Sequence, residues 1–241
     1  MNGSKTAVVV GASSGIGLAL AKLLINEGYR VGITGRRELL LQKNKQILGE
    51  NCITQCFDVS DTQESIAQLE VLINKLGGLD LFIISAGIGF INPNMAWDKE
   101  EQTIAVNVNG FAALANFVGR YFIQQKHGIL VGISSIGALR GNGVAPAYNA
   151  SKAFVSNYLE GLRHNLTKKE GDFTVCTIEP GFVDTEMAKG ETPLKKIPVD
   201  KAAKQILDAI IKRKSHAYIS KRWRLFAWLY RSLPDFIFLK M

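Results

Sequence analysis

Residues 8–17 read VVVGASSGIG: an apolar β-branched run, then Gly11, Gly15 and Gly17, with a helical pattern following at once. A strand that passes straight into a helix needs a residue free of Cβ clashes at the turn. A second glycine lets main chain approach a pyrophosphate, and a third lets the helix pack closely on the strand. The helix start then offers unpaired N–H groups and partial positive charge to phosphate oxygens. The spacing is G-x-x-x-G-x-G, with Ser13, Ser14 and Ile16 among the intervening residues. A strand–turn–helix at the first βα junction is the context that a dinucleotide cradle requires.

Outward from this stretch, apolar runs alternate with helical patterns. Ile16, Leu20, Leu23 and Leu24 recur at helical spacing and Gly28 follows as a stop. Strands are predicted at Thr6–Val10, Arg30–Thr34, Ile53–Phe57, Leu79–Ser85, Ile129–Ser134, Phe173–Ile178 and His216–Ile219. Helices are predicted at Ile16–Asn26, Glu38–Leu48, Thr62–Leu76, Glu100–Gln125, Ala147–Lys168 and Asp200–Lys212. Near-continuous apolar strands separated by helices predict an α/β fold: a doubly wound parallel sheet covered on both faces, in three α/β/α layers. No linker or repeat interrupts the rhythm. We expect one domain over residues 1–219 and an arm over 220–241.

The chain has 241 residues, 47% hydrophobic and 21% charged, enough to bury a sizeable core. Cys52, Cys56 and Cys176 cannot make a disulfide framework, and no metal-type spacing appears, so no metal is expected. The N-terminus lacks the shape of a secretory signal, which makes a reducing cytoplasm the expected location. Net charge is +8, yet Lys212 to Met241 alone carries eight basic residues against Asp235, a local +7. The body is therefore nearly neutral, and a nucleic-acid partner is not expected.

The end of the second strand speaks to the nucleotide. Enzymes for NAD usually offer an acid there to the ribose 2′-OH. This chain reads GITGRREL, placing Arg36 and Arg37 where two guanidiniums would meet a 2′-phosphate. NADP(H) is the expected cofactor.

Together these residues resemble the short-chain dehydrogenase/reductase family, in its variety of roughly 250 residues with a Rossmann-like fold. The resemblance runs from Thr6 to about Ile219. Gly11 to Gly17 matches the family's glycine motif, and Asp58-Val59 the pair that holds the adenine ring. Ser85-Ala86-Gly87 matches N-A-G with serine for asparagine, and Ala86 and Gly87 are implied to line the adenosine ribose. Asn107 matches the catalytic asparagine, Ser135, 13 residues before Tyr148, the catalytic serine, and Tyr148 and Lys152 the Y-x-x-x-K pair. Pro180-Gly181, with Val183 and Thr185, matches the segment that embraces the nicotinamide.

The implied chemistry is hydride transfer between nicotinamide and a carbonyl or alcohol, and it has a physical logic. A ketone that accepts hydride builds negative charge on oxygen and needs a proton donor. Tyrosine is a poor acid at neutral pH, with a reference pKa of ~10. A lysine at i+4 shares its helix face, and its ammonium, together with the positive charge of the oxidised nicotinamide, is expected to lower that value. Ser135 can donate to the oxygen as its charge develops; Ser134 is the alternative donor. The resemblance implies that Lys152 also binds the nicotinamide ribose and that Asn107 holds a water linking Lys152 to solvent. His127, His164 and His216 show no ligand spacing and read as surface or loop residues.

The substrate is read less directly. The segment EMAKGETPLKKIP, Glu186 to Pro198, is short, which suggests a bulky apolar carbonyl compound in an open or externally completed pocket. A cofactor-binding sensor or scaffold with little turnover is the alternative from another class. The helix containing GFAALANFVG is apolar nearly all round and rich in small residues, which predicts a homo-oligomer, dimer or tetramer. In the tail, KRWRLFAWLYRSLPDFIFLKM, Trp223, Leu225, Phe226, Leu229 and Tyr230 fall on one helical face with Arg224 and Arg231 opposite, and Pro234 marks a break. This amphipathic arm is expected to enclose the pocket. Peripheral membrane contact through its basic aromatic face is the alternative.

Overall fold

A computed structural model describes residues 5–186, 196–220 and 222–238. The five residues of β1 (Thr6–Val10) are all buried, because it lies inside the sheet with a neighbour on each edge and helices over both faces. It pairs in parallel with β2 (Arg30–Gly35) and β4 (Leu81–Ile84). With β3 (Cys52–Cys56), β5 (His127–Ile133), β6 (Asp172–Pro180) and β7 (His216–Ile219), the sheet is wholly parallel and ordered β3-β2-β1-β4-β5-β6-β7. The expected α/β fold is the one observed.

Alternate residues of each strand feed two cores. Ala7, Val9, Val31, Ile33 and Ile178 pack with α1 (Gly15–Asn26), α2 (Glu38–Leu48) and α7 (Val199–Ile211) on one face. Val8, Val10, Phe82, Ile84 and Leu130 pack with α3 (Thr62–Leu76), α5 (Phe111–Gln125) and α6 (Pro146–Leu166) on the other. Both faces are covered, so the strands read as continuous apolar runs. The chain winds outward from β1 to β3, then crosses back to β4 and on to β7. Ligands of such sheets bind outside the carboxyl ends of the strands at that reversal, here between β1 and β4. At the opposite end, the Thr6 N–H and hydroxyl both donate to the Asp80 carboxylate (2.7 and 3.1 Å).

Two expected helices, Glu38–Leu48 and Thr62–Leu76, have the observed bounds. The long one predicted over Glu100–Gln125 differs. It starts earlier, as α4 (Trp97–Ile104), and passes through wider π-helical turns at Ala105–Gly110 before α5. Such turns inside a helix often mark functional positions. At their end the chain runs so close to the third-strand loop that a Cβ on Gly110 would lie 2.4 Å from the Val59 carbonyl oxygen.

The arm forms α8 (Arg222–Ser232) and a short α9 (Asp235–Phe238), broken around Pro234 as expected. Trp223 is buried and Tyr230 half-buried, but Leu229 is 52% exposed, so the predicted apolar face is only partly covered. The predicted positions of the Leu225, Phe226 and Arg231 side chains lie outside the described residues, as does most of the Glu186–Pro198 segment.

Candidate active site

The cradle lies at the carboxyl end of β1. Gly11 has φ 82°, and a Cβ there would meet the Ala86 nitrogen at 2.5 Å. A side chain at this position would push Ser85-Ala86-Gly87 away from the turn, so glycine is required twice over: by conformation and by contact. Gly17 is fixed by packing instead, since its Cβ would lie 2.4 Å from the Gly11 carbonyl oxygen. No side chain caps the first turn of α1, which leaves its N–H groups for an anion. Ser13, Ser14 and Ile16 lie between the glycines, and Thr185 faces Gly15, with its methyl 3.6 Å from where a Cβ would sit.

Arg37 lies across this turn. Its guanidinium donates to the Ser13 hydroxyl (2.8 Å), the Ser14 hydroxyl (2.6 Å) and the Glu186 carboxylate (3.2 Å). Arg36 reaches Asp58 at 3.4 Å. Burial would raise the Asp58 carboxyl, but hydrogen bonds from Ser60 and the charge of Arg36 outweigh it and hold it low. Val59 follows Asp58 and is buried against the π-helical turn. A cradle with a bare helix start fits the pyrophosphate of a dinucleotide, and two arginines stand at its rim.

The second cluster lies beyond the ends of β4 and β5. Ser135 follows β5, and its hydroxyl accepts the Gly137 N–H (3.0 Å) and hydrogen-bonds the Tyr148 phenol. Tyr148 stands in the first turn of α6 and Lys152 one turn on, both facing inward. Lys152 is 6% exposed; its ammonium donates to the Ile133 carbonyl (3.0 Å) and lies 5.8 Å from the Tyr148 ring centre. Burial pushes this amine down to about 8. Asn107 sits in the π-helical turns, where its amide exchanges hydrogen bonds with the Ile88 main chain (2.7 and 2.9 Å) and donates to the Ser151 hydroxyl (3.0 Å). Gly87 is the meeting point: a Cβ there would lie 3.2 Å from the Lys152 nitrogen and 3.3 Å from the Asn107 oxygen.

Pro180 ends β6, and the Gly181 N–H donates to the Ile219 carbonyl (2.7 Å). Val183 is buried in a bridge to Ile197. Gly11, Arg37, Gly87, Ser135, Tyr148, Lys152 and Thr185 thus all lie at one end of the sheet.

In the protein alone burial raises the Tyr148 phenol, offset in part by the Ser135 hydroxyl; the lowering expected from the sequence includes the positive charge of an oxidised nicotinamide, which only bound cofactor brings. The ammonium is turned to the Ile133 carbonyl. The two adjacent serines are also told apart. Ser134 points into the fold, to the Lys152 carbonyl (2.8 Å) and Ser156 (2.8 Å), and cannot serve as the donor to a substrate.

The model of the short chain dehydrogenase family matches residues 5–195. The chain belongs to this family. It is an oxidoreductase of the short-chain dehydrogenase type. Among curated proteins it is 37% identical over 188 residues to an uncharacterized oxidoreductase of Myxococcus xanthus, covering 76% of this chain and 74% of that one. It is 30% identical to a 3-oxoacyl-acyl-carrier-protein reductase of Vibrio cholerae, covering 77% and 76%, and 32% identical to a probable NADP-dependent dehydrogenase of Haemophilus influenzae, covering 73% and 71%. An actinorhodin polyketide ketoreductase solved with NADPH superposes with a TM-score of 0.80, at 24% identity, over 90% of this chain and 95% of its own. That likeness shows the fold.

Other parts of this short-chain dehydrogenase escaped the sequence reading. Glu100 braces the helix that carries Tyr148: its carboxylate accepts the Ala147 N–H (3.0 Å) and the Asn92 side-chain amide (2.6 Å). Behind Ser134, Ser156 donates to the buried carboxylate of Glu179 (2.7 Å), whose other oxygen lies 3.1 Å from the His216 ring. His216, read as a surface residue, is thus a partner of a buried acid. A lone Glu or His within an apolar run carries no signal of such pairing.

Proposed function

We propose that the protein is an NADP(H)-dependent reductase of an apolar ketone or aldehyde. The observation that carries this reading is the convergence of Ser135, Tyr148, Lys152 and Asn107 beside a phosphate cradle crossed by Arg37. Residues 1–219 form the catalytic unit in this reading and residues 220–241 its arm. Gly11, Gly15, Gly17 and the start of α1 hold the pyrophosphate, Arg36 and Arg37 the 2′-phosphate, and Asp58, Val59, Ala86 and Gly87 the adenosine. Pro180, Gly181, Val183 and Thr185 flank the nicotinamide, which supplies or accepts the hydride and brings a positive charge when oxidised.

The chain's own groups handle the proton. The Ser135 hydroxyl is hydrogen-bonded to the Tyr148 phenol, so a carbonyl oxygen placed beside them would have the serine to stabilise developing charge and the tyrosine to give up its proton. Tyr148 is held high by burial in the protein alone, so it keeps that proton until positive charge arrives beside it. Lys152 supplies part of that charge and binds the ribose, and Asn107 fixes the adjoining main chain and a water path to Lys152. The relatives from Vibrio and Haemophilus support reduction of a carbonyl and use of NADP. The half-buried Ala112, Ala113 and Phe117 of α5 and Phe154 and Tyr158 of α6 support a homo-oligomer built on these helices. The exposed Leu229, Phe236 and Ile237 and the +7 charge of residues 212–241 favour peripheral lipid contact as a further property of the arm.

A panel of ketones and alcohols, read by consumption or formation of NADPH, tests the enzyme reading. Turnover of apolar carbonyl compounds is expected. Tight NADPH binding with no turnover across the panel would instead favour a sensor or scaffold.

A further inference from the structure

Arg140 belongs to the turn between Ser135 and Tyr148, yet its guanidinium serves the far end of the chain. It donates to the Leu233 carbonyl and to the Asp235 carboxylate, and its plane lies 4.0 Å over the Phe238 ring. All three partners lie at the corner between α8 and α9. The Arg140 side chain is only 17% exposed, so it is seated and not waving in solvent. The other end of the arm is fastened as well. Trp223 is buried edge-on to Phe182, with ring centres 5.8 Å apart, and it covers Gly181 so closely that a Cβ there would fall 1.9 Å from the indole nitrogen. The arm therefore joins two walls: the segment after β6 and the turn after β5.

That turn is the one that places the Ser135 hydroxyl. The Gly137 N–H donates to it (3.0 Å), and the Asn149 side-chain amide holds the Gly137 carbonyl (2.7 Å) and the Arg140 carbonyl (3.3 Å). Asn149 adjoins Tyr148. The turn is thus pinned from inside by the tyrosine's neighbour and from outside by the arm. We infer that Arg140 is a positioning residue that transmits the docking of α8 and α9 to the turn bearing Ser135, so the substrate side of the site takes its working shape only when the arm is seated.

The catalytic consequence rests on the reductase reading; the mechanical one does not, and the experiment separates them. Arg140→Ala is expected to lower kcat/KM for an apolar ketone about tenfold, while NADPH affinity stays within about twofold, because the cradle is remote from the turn. Removing residues 222–241 should cost at least as much, since it also takes away the Trp223 contact with Gly181 and Phe182. Joining that removal to Arg140→Ala should add nothing, since the truncated chain has already lost the partners of Arg140. Arg140→Lys should recover part of the activity through Asp235. Hydrogen exchange reads the link without turnover: amides of residues 136–145 should exchange faster in Arg140→Ala, with those of β1 and α1 unchanged. The pair Asp235→Ala and Phe238→Ala offers the same exchange test should the truncated chain fail to fold. Unchanged exchange over 136–145, or additive kinetic losses, would overturn the inference. If no carbonyl compound is turned over at all, the exchange measurement still decides it.

Discussion

Lys152→Met, examined without cofactor, should make the protein more stable at neutral pH while disabling the site. The side chain is 6% exposed, and burial takes its amine from an ordinary 10.5 down to about 8. At about 1.36 kcal/mol for each tenfold change, that drop corresponds to roughly 3 kcal/mol against the charged folded form. Methionine keeps the length and the methylenes but loses the hydrogen bond to the Ile133 carbonyl, worth ~1 kcal/mol. A net gain of about 2 kcal/mol remains, or roughly 4–8 °C in Tm for a domain of this size. The pH dependence carries the sign. Below about pH 8 the amine is protonated in both states, and the full cost of burying charge is present. Between about 8 and 10.5 the unfolded chain holds the extra proton, so the wild-type protein gains stability as pH rises and the variant does not. Urea unfolding followed by circular dichroism, from about pH 7 to about pH 10, should show the variant's advantage shrinking across that window. A variant less stable at neutral pH, or an advantage flat with pH, would refute the assignment of the cost to buried charge.

Tyr148→Phe should abolish turnover on every substrate while cofactor affinity persists; retained activity would point to another acid. Replacing Arg36 and Arg37 together with alanine should weaken NADPH by ~1.5–3 kcal/mol and leave NADH nearly unchanged, as read by calorimetry, and equal losses would remove the 2′-phosphate from the argument. Light scattering at micromolar concentration should return a dimer or tetramer, and a monomer mass would end the proposed α5–α6 contact. Sedimentation with anionic vesicles at low salt tests the lipid contact of the arm, which fails if the full chain stays in the supernatant.

The strand and helix pattern was legible because each β1-like run is buried on both faces and each helix carries its apolar stripe at fixed spacing. The cradle was legible for a related reason: Gly11 and Gly17 answer to neighbours within a few residues or to one close main-chain approach. Tyr148 and Lys152 stood out through their spacing, Asn107 and Ser135 through the family resemblance, and the structure brings them together. What stayed hidden depends on pairings across long stretches of chain. Glu100 supports Ala147, Glu179 engages His216, and Arg140 grips Asp235, and none of these residue types signals its partner in advance. The π-helical turns at Asn107 were hidden because no break in helical periodicity marks them. The raised phenol was hidden too, since sequence shows which residues share a helix face but not how deeply a ring is buried.

The order of the strands also has a consequence for how the chain is made. β1 can pair with β2 once about forty residues have left the ribosome, but its other edge waits for β4, and the Thr6–Asp80 clasp closes only then. Throughout that interval, a strand that is wholly buried in the finished fold offers an unpaired edge. Aggregation during synthesis should therefore concentrate on nascent chains that end before β4, and a holding chaperone would act on those lengths and release them once β4 is available.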